Sequence, residues 1–180
     1  MNLIESIKGI FRRSCLKKYS SDVPTGIIPL SNLHSAVAFI DVEDTSFDEC
    51  KGLLISFFRE HGIKGEIFFF DFRHLSEGER LITSITTTIL RKDLNWFGRP
   101  SKDKVNLMLQ GEPDLFISLI KKEEFPIEFM AKCSRARFKI GRRQLPGDTF
   151  DLVVSDSREK PCSQADLFRQ MLVYLDKIKG

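Results

Sequence analysis

The stretch KDLNWFGRP, residues 92–100, brings Asp93, Asn95, Trp96 and Arg99 close together, and Trp96 is the only tryptophan of the chain. An indole beside a guanidinium can stack on a base or a sugar and face an anion. The same residues can instead close the end of a sheet, with Trp96 and Phe97 as an apolar plug and Gly98-Arg99-Pro100 as the turn into a helix. A second segment, AKCSRARFKIGRR at 131–143, holds six basic residues and no acid. There Arg142 and Arg143 follow Gly141, where a guanidinium fork can hold a phosphate or carboxylate. Arg137 and Lys139 alternate with apolar residues, a pattern that also keeps an edge strand soluble. The third segment is DVEDTSFDE, 41–49. Asp41, Glu43 and Asp44 are oxygen ligands of the kind Mg²⁺ takes, and they suit equally the positive end of a helix.

Several chemistries are disfavoured. The 41–49 segment is acidic and has no glycine, so a backbone cradle for the phosphates of NAD, FAD or ATP is missing. His34, His61 and His74 are scattered, and neither a nucleophile-elbow GxSxG nor a Cys-His signature is present. Cys15, Cys50, Cys133 and Cys162 lie far apart without metal-ligand spacing. They read as reduced, apolar thiols of a cytosolic protein. The expectation is therefore no catalytic residue, no metal and no cofactor.

The net charge of +3 is unevenly spread. Lys8, Arg12, Arg13, Lys17 and Lys18 face only Glu5 in the first 20 residues, a local excess of +4 that leaves −1 for the remaining 160. The basic balance belongs to the N-terminal segment, and no nucleic-acid partner is expected. Residues 2–16 have the pattern of an amphipathic helix, with Leu3, Ile4, Ile7, Ile10 and Phe11 on one side. Such a helix either docks on the domain or lies on an anionic membrane surface. KYSSDVPTG then breaks it, which divides the chain into a helix and linker, 1–24, and a single domain, 25–180. No apolar run approaches the roughly 18 residues of a membrane span. No signal-peptide pattern is visible.

The body alternates strand and helix. SAVAFIDV (35–42), EIFFFDF (66–72), ITTTIL (85–90), DLFISLI (114–120), RFKIG (137–141) and TFDLVV (149–154) read as strands, with RFKIG at an edge. Helices are predicted from Ser46-Phe47-Asp48-Glu49 onward, a capping box, and over SEGERLITS, 102–110 and 126–134. A final helix is capped by Ser163-Gln164-Ala165-Asp166, with Leu167, Met171, Leu172 and Leu175 as its apolar stripe. This alternation implies a three-layer α/β/α sandwich, Rossmann-like or flavodoxin-like, with a mostly parallel sheet of five or six strands. RRQLPGD is short for a parallel crossover, so an antiparallel edge, or a fifth strand too short to count, is expected there. Ligands of such sheets bind beyond the carboxyl ends of the strands. That rule puts Asp41, Asp93, Asn95, Trp96, Arg99, Arg142 and Arg143 on one rim as candidate ligand-binding residues.

KDLNWFGRP, PDLFISL, FPIEFMAKCSRARFKIGRR and FDLVV resemble an uncharacterised family of small bacterial proteins, a domain of unknown function with a DLNWFG motif. DLFISL followed by a helix ending in AKCSRARFKIG is similar, more weakly, to the N-terminal half of heptosyltransferase-type glycosyltransferases. That resemblance implies a Rossmann-like half-domain. Taken together, the expected function is a non-enzymatic module that binds a small anionic ligand or a protein partner. It is expected to be cytoplasmic, with residues 2–16 either docked on the domain or in peripheral contact with a membrane. The alternative is an enzyme acting on a phosphorylated or sugar substrate, with Arg99, Arg142 and Arg143 clamping the anion and Asp41 or Asp93 as acid or base.

Overall fold

The computed structural model describes residues 3–73, 86–122, 124–156 and 162–178. The readings that involve His74, SEGERLITS and the start of ITTTIL lie outside the described residues. Strands β1 (Ser35–Asp41), β2 (Lys64–Asp71), β3 (Thr88–Leu90), β4 (Leu115–Ser118), β5 (Phe138–Gly141) and β6 (Leu152–Val153) form one sheet. Their order is β3-β2-β1-β4-β5-β6, and every pairing is parallel. This is the Rossmann order rather than the flavodoxin one.

An all-parallel sheet needs cover on both faces, which is why β1 and β4 are apolar almost throughout. Ala36, Ala38 and Ile40 point to one core, under α2 (Phe47–Glu60) and α5 (Gln164–Leu175). Val37 and Phe39 point to the other, under α3 (Lys102–Met108), α4 (Phe125–Cys133) and α1 (Leu3–Tyr19). In that second core the Phe39 ring centre lies 5.3 Å from Phe68, 5.7 Å from Phe70 and 5.1 Å from Phe116. This cluster accounts for the chain's preference for Phe over Tyr: rings without a hydroxyl need no hydrogen-bond partner when buried.

Three expectations are corrected. β5 is an interior strand, since β6 pairs outside it, and its residues are all buried. Arg137 binds the Asp114 carboxylate, and the Lys139 ammonium donates to the Ala131 carbonyl at 2.8 Å, so neither side chain guards an edge. The β5–β6 join is parallel, not antiparallel. Register explains how so short a connection suffices: Leu152 and Val153 lie beside Ile140 and Gly141, the last residues of β5, so the chain returns by only about two residues of strand length. Gln144 folds this connection, accepting the Leu145 and Phe150 amides, each at 3.1 Å. Phe150 then packs flat over Gly141, where a Cβ would lie 2.5 Å from the ring. Lastly, Ser46 does not cap α2 with its side chain; its hydroxyl donates to Asp44 at 2.8 Å and accepts from the Ala165 amide at 3.0 Å. Ser163 does cap α5, accepting from the Asp166 amide at 3.1 Å.

At the amino rim Asp114 ties three strands together. One carboxylate oxygen accepts the His34 and Ser35 amides at 2.7 and 3.0 Å, and the other meets Arg137. Burial alone would raise this carboxyl, but Arg137 and the two amides outweigh it and hold it below its ordinary value. A carboxyl depressed in the fold contributes stability that is complete above its unfolded pKa and is lost as pH falls through the folded one. Asp114→Asn is therefore expected to lower unfolding free energy at pH 7 by about 2–3 kcal/mol. It should also flatten the decline below about pH 4. Urea unfolding at pH 7 and at stepped acid values checks both.

Candidate functional site

The strand order reverses between β1 and β4, and the crevice at their carboxyl ends is where such sheets take ligands. Here that rim is filled by its own charges. The Asp41 main chain exchanges two hydrogen bonds with the Gln164 side chain, at 3.1 and 2.9 Å. Lys122 Nζ lies 2.6 Å from Glu43 and 3.7 Å from Asp41. Burial raises the Asp41 carboxyl against the opposing pull of the Glu43 amide and Lys122. Asp71 receives the Arg73 fork at 2.9 Å on each oxygen.

Arg142 is only 2% exposed. Its Nη2 sits 2.9 Å from both Asp156 oxygens and donates to the Cys162 carbonyl at 2.5 Å, while Asp44 stands 3.9 Å from Nη1. Burial would raise the Asp156 carboxyl, but Arg142 and the Cys162 thiol hold it down. The guanidinium thus has an internal carboxylate as its main partner. Arg143 is exposed on the adjoining loop.

The 93–99 loop is built differently. Asp93 accepts the Leu90 amide at 2.8 Å. The Asn95 side-chain oxygen accepts from Phe97 N at 3.2 Å and Arg99 N at 2.9 Å. Its main chain exchanges bonds with Arg99 and Gly98, both at 2.9 Å, and Leu94 bridges Pro100 antiparallel. Gly98 supplies the positive φ of +95° that this turn requires. The result is a closed loop with Trp96 at its tip, 56% exposed. Phe97 is the plug, its ring centre 6.2 Å from that of Phe125. Arg99 lies over Tyr19 at 4.4 Å and Phe129 at 5.6 Å, a stacked rather than a free cation.

Helix α1 lies against this loop. Arg12 Nε donates to the Phe97 carbonyl at 2.7 Å, its guanidinium covers Phe125 at 5.2 Å, and Cys15 is buried one turn on. These contacts fix which side of α1 faces the protein, and it is not the apolar one. Leu3 is 73% exposed and Ile10 58%, with Ile4, Ile7 and Phe11 also in solvent. The Phe11 ring centre is 5.0 Å from that of Trp96 and 6.0 Å from that of Phe97. The stripe and the indole therefore form one continuous surface. Arg13, Lys17 and Lys18 flank it, exposed, and no carboxylate among the described residues pairs with them, whereas Lys8 pairs with Glu5 at 2.8 Å.

The candidates of the sequence thus fall into two groups on one rim. Asp93, Asn95, Trp96 and Arg99 gather with α1 beyond β3, while Asp41, Arg142 and Arg143 lie beyond β1 and β5. Four strand steps separate β3 from β5, about 19 Å. Of the two residues that organise the second group, Lys122 follows β4, where the strand-end rule points, whereas Gln164 carries no sequence pattern that would single it out.

A family model described as a family of unknown function (DUF6913) matches residues 8–178. No curated protein and no solved structure matches the chain. The geometry of the 93–99 loop makes its own prediction. Asn95→Ala removes the acceptor of two amides and is expected to lower stability by about 1–2 kcal/mol. It should also free Trp96, seen as lower fluorescence anisotropy and stronger acrylamide quenching.

Proposed function

The chain belongs to that family of unknown function, which supplies no activity to carry over, and we propose that it is a non-enzymatic module that docks on an anionic membrane surface through α1 and Trp96. One observation carries the reading: α1 is fixed with its apolar stripe turned outward, continuous with an exposed indole and flanked by Arg13, Lys17 and Lys18, with which no carboxylate among the described residues pairs. Contiguous apolar surface of this kind on a soluble domain marks an interaction site. Tryptophan favours the level of lipid headgroups, where its ring is buried and its N–H stays wet. Basic residues near an anionic surface add about 1 kcal/mol each.

The alternative occupant, a second copy of the chain, is disfavoured by the same charges. A two-fold interface on this stripe would bring together the +4 excess that residues 1–20 of each copy carry. Attachment would be from one side: among the described residues no helix is long and apolar enough to cross a membrane. The enzyme reading gains no comparable support, because Asp93, Arg99 and Arg142 are engaged in contacts within the protein. The Rossmann order alone is a fold-level analogy to transferases.

Co-sedimentation with vesicles of phosphatidylcholine, with and without phosphatidylglycerol, tests the proposal. The protein should pellet with the anionic vesicles and release as salt rises. Ile7→Asp/Ile10→Asp should keep the fold, since both positions are exposed, and bind at least 100-fold more weakly, as two lost apolar side chains forfeit about 3 kcal/mol or more. Equal pelleting of the two forms would remove the reading, as would salt-independent dimerisation through the stripe in light scattering.

A further inference from the structure

An open cavity of about 400 Å³ lies at the C-terminal end of α1, between the 20–25 segment, α4 and the β5–β6 connection. Lys17, Lys132, Lys139, Ser20, Thr25 and Thr149 line it, and no carboxylate is among its lining residues. Of the acids beside it, Glu128 holds Lys132 at 2.6 Å, and Asp151 accepts the Thr25 hydroxyl at 2.7 Å and the Lys139 main-chain amide at 2.7 Å, while Asp22 and Asp148 lie exposed between lining residues. Lys17 is exposed and has no ion-pair partner among the described residues.

Lys139 is the unusual member. It is 5% exposed, and its ammonium makes one hydrogen bond, to the neutral Ala131 carbonyl. An ammonium has three donors. Burying its charge beside a single neutral acceptor is unfavourable unless an anion compensates it. Burial presses Lys139 below the ordinary lysine range, with Asp151 opposing. The neighbouring Cys133 cannot compensate, because burial pushes its thiol up to about 12 and keeps it neutral. A doubly charged ligand with several acceptor oxygens would satisfy what the protein leaves open.

We propose that this cavity binds a phosphate monoester, with Lys139 as the buried anchor and Lys17, Lys132 and the Ser20 and Thr149 hydroxyls as the other donors. The monoester comes from a soluble metabolite or from a lipid headgroup; the chemistry is shared. The proposal does not rest on membrane docking, because its first test contains no lipid.

The full chain is titrated with inorganic phosphate and with glycerol 3-phosphate at matched ionic strength, read by thermal shift and calorimetry. Saturable stabilisation is expected, with affinity at least tenfold weaker in Lys139→Met and in Lys17→Gln. Lys139→Met replaces a buried cation with an apolar chain of similar length, so its ligand-free Tm should equal or exceed that of the wild type. Lys17→Gln, at an exposed position, keeps the test valid should the first variant fold poorly. The absence of a saturable response to either probe overturns the proposal, as does an equal response in wild type and both variants, which would mean diffuse surface attraction. The source is decided by vesicles carrying phosphatidic acid or phosphatidylglycerol at equal charge. Preference for phosphatidic acid, relieved by glycerol 3-phosphate, identifies a lipid headgroup; saturable binding of glycerol 3-phosphate with no such preference identifies a soluble ligand.

Discussion

The roll of α1 about its own axis governs the character of this molecule's surface, and Arg12 sets it. Its Nε–H ends on the Phe97 carbonyl at 2.7 Å, and its guanidinium plane lies over Phe125. Cys15 enters the second core from the same side of the helix. An amphipathic helix left to itself would turn its isoleucines toward a protein core. Here a charged hydrogen bond, a cation over a ring and a small buried thiol hold the opposite side inward. The exposed stripe is therefore built in, and its solvent exposure is unfavourable until something apolar covers it.

The sheet supplies the platform for this arrangement. Its two faces are sealed by separate apolar clusters, one rich in aliphatic side chains and one built on stacked phenylalanines. Its carboxyl rim, the customary place for a ligand, is neutralised from within by Lys122 with Glu43, Arg73 with Asp71, and Arg142 with Asp156. In the membrane-docking proposal the contact surface lies not at the switch point but at the margin beyond β3. There the loop around Asn95 is closed by its own hydrogen bonds and holds Trp96 outward. A pre-ordered loop loses little conformational freedom on binding. The lysine-lined cavity lies at the other end of α1, so the one helix borders both that cavity and the Trp96 surface.

Much of the fold was legible because period and composition report burial. The unbroken apolar runs at 35–42 and 114–120 are interior parallel strands, and the 163–175 pattern is a capped helix. Strand order was not legible, because every parallel strand buried on both faces reads alike. The RFKIG segment misled for a specific reason: Lys139 looks solvated yet is buried against Ala131, and the half-exposed Arg137 serves Asp114 rather than an edge. The β5–β6 join was misread because a two-residue strand needs far less return than a full crossover. The residue types of KDLNWFGRP drew attention to this loop, but the separation of Phe97 as plug from Trp96 as tip depends on Gly98 and Asn95 geometry. The stripe of α1 was visible in the sequence; the side it would face was not, because that is decided by Arg12 meeting a carbonyl 85 residues away.

Trp96 is the sole indole of the chain, so its emission reports this surface without interference from another tryptophan. Titration of the protein with phosphatidylglycerol vesicles should move that emission to shorter wavelength, and lipids brominated on their acyl chains should quench it, since the indole passes from water into the interface. Emission unchanged at saturating lipid, with no quenching by the brominated chains, would contradict membrane docking through α1 and Trp96.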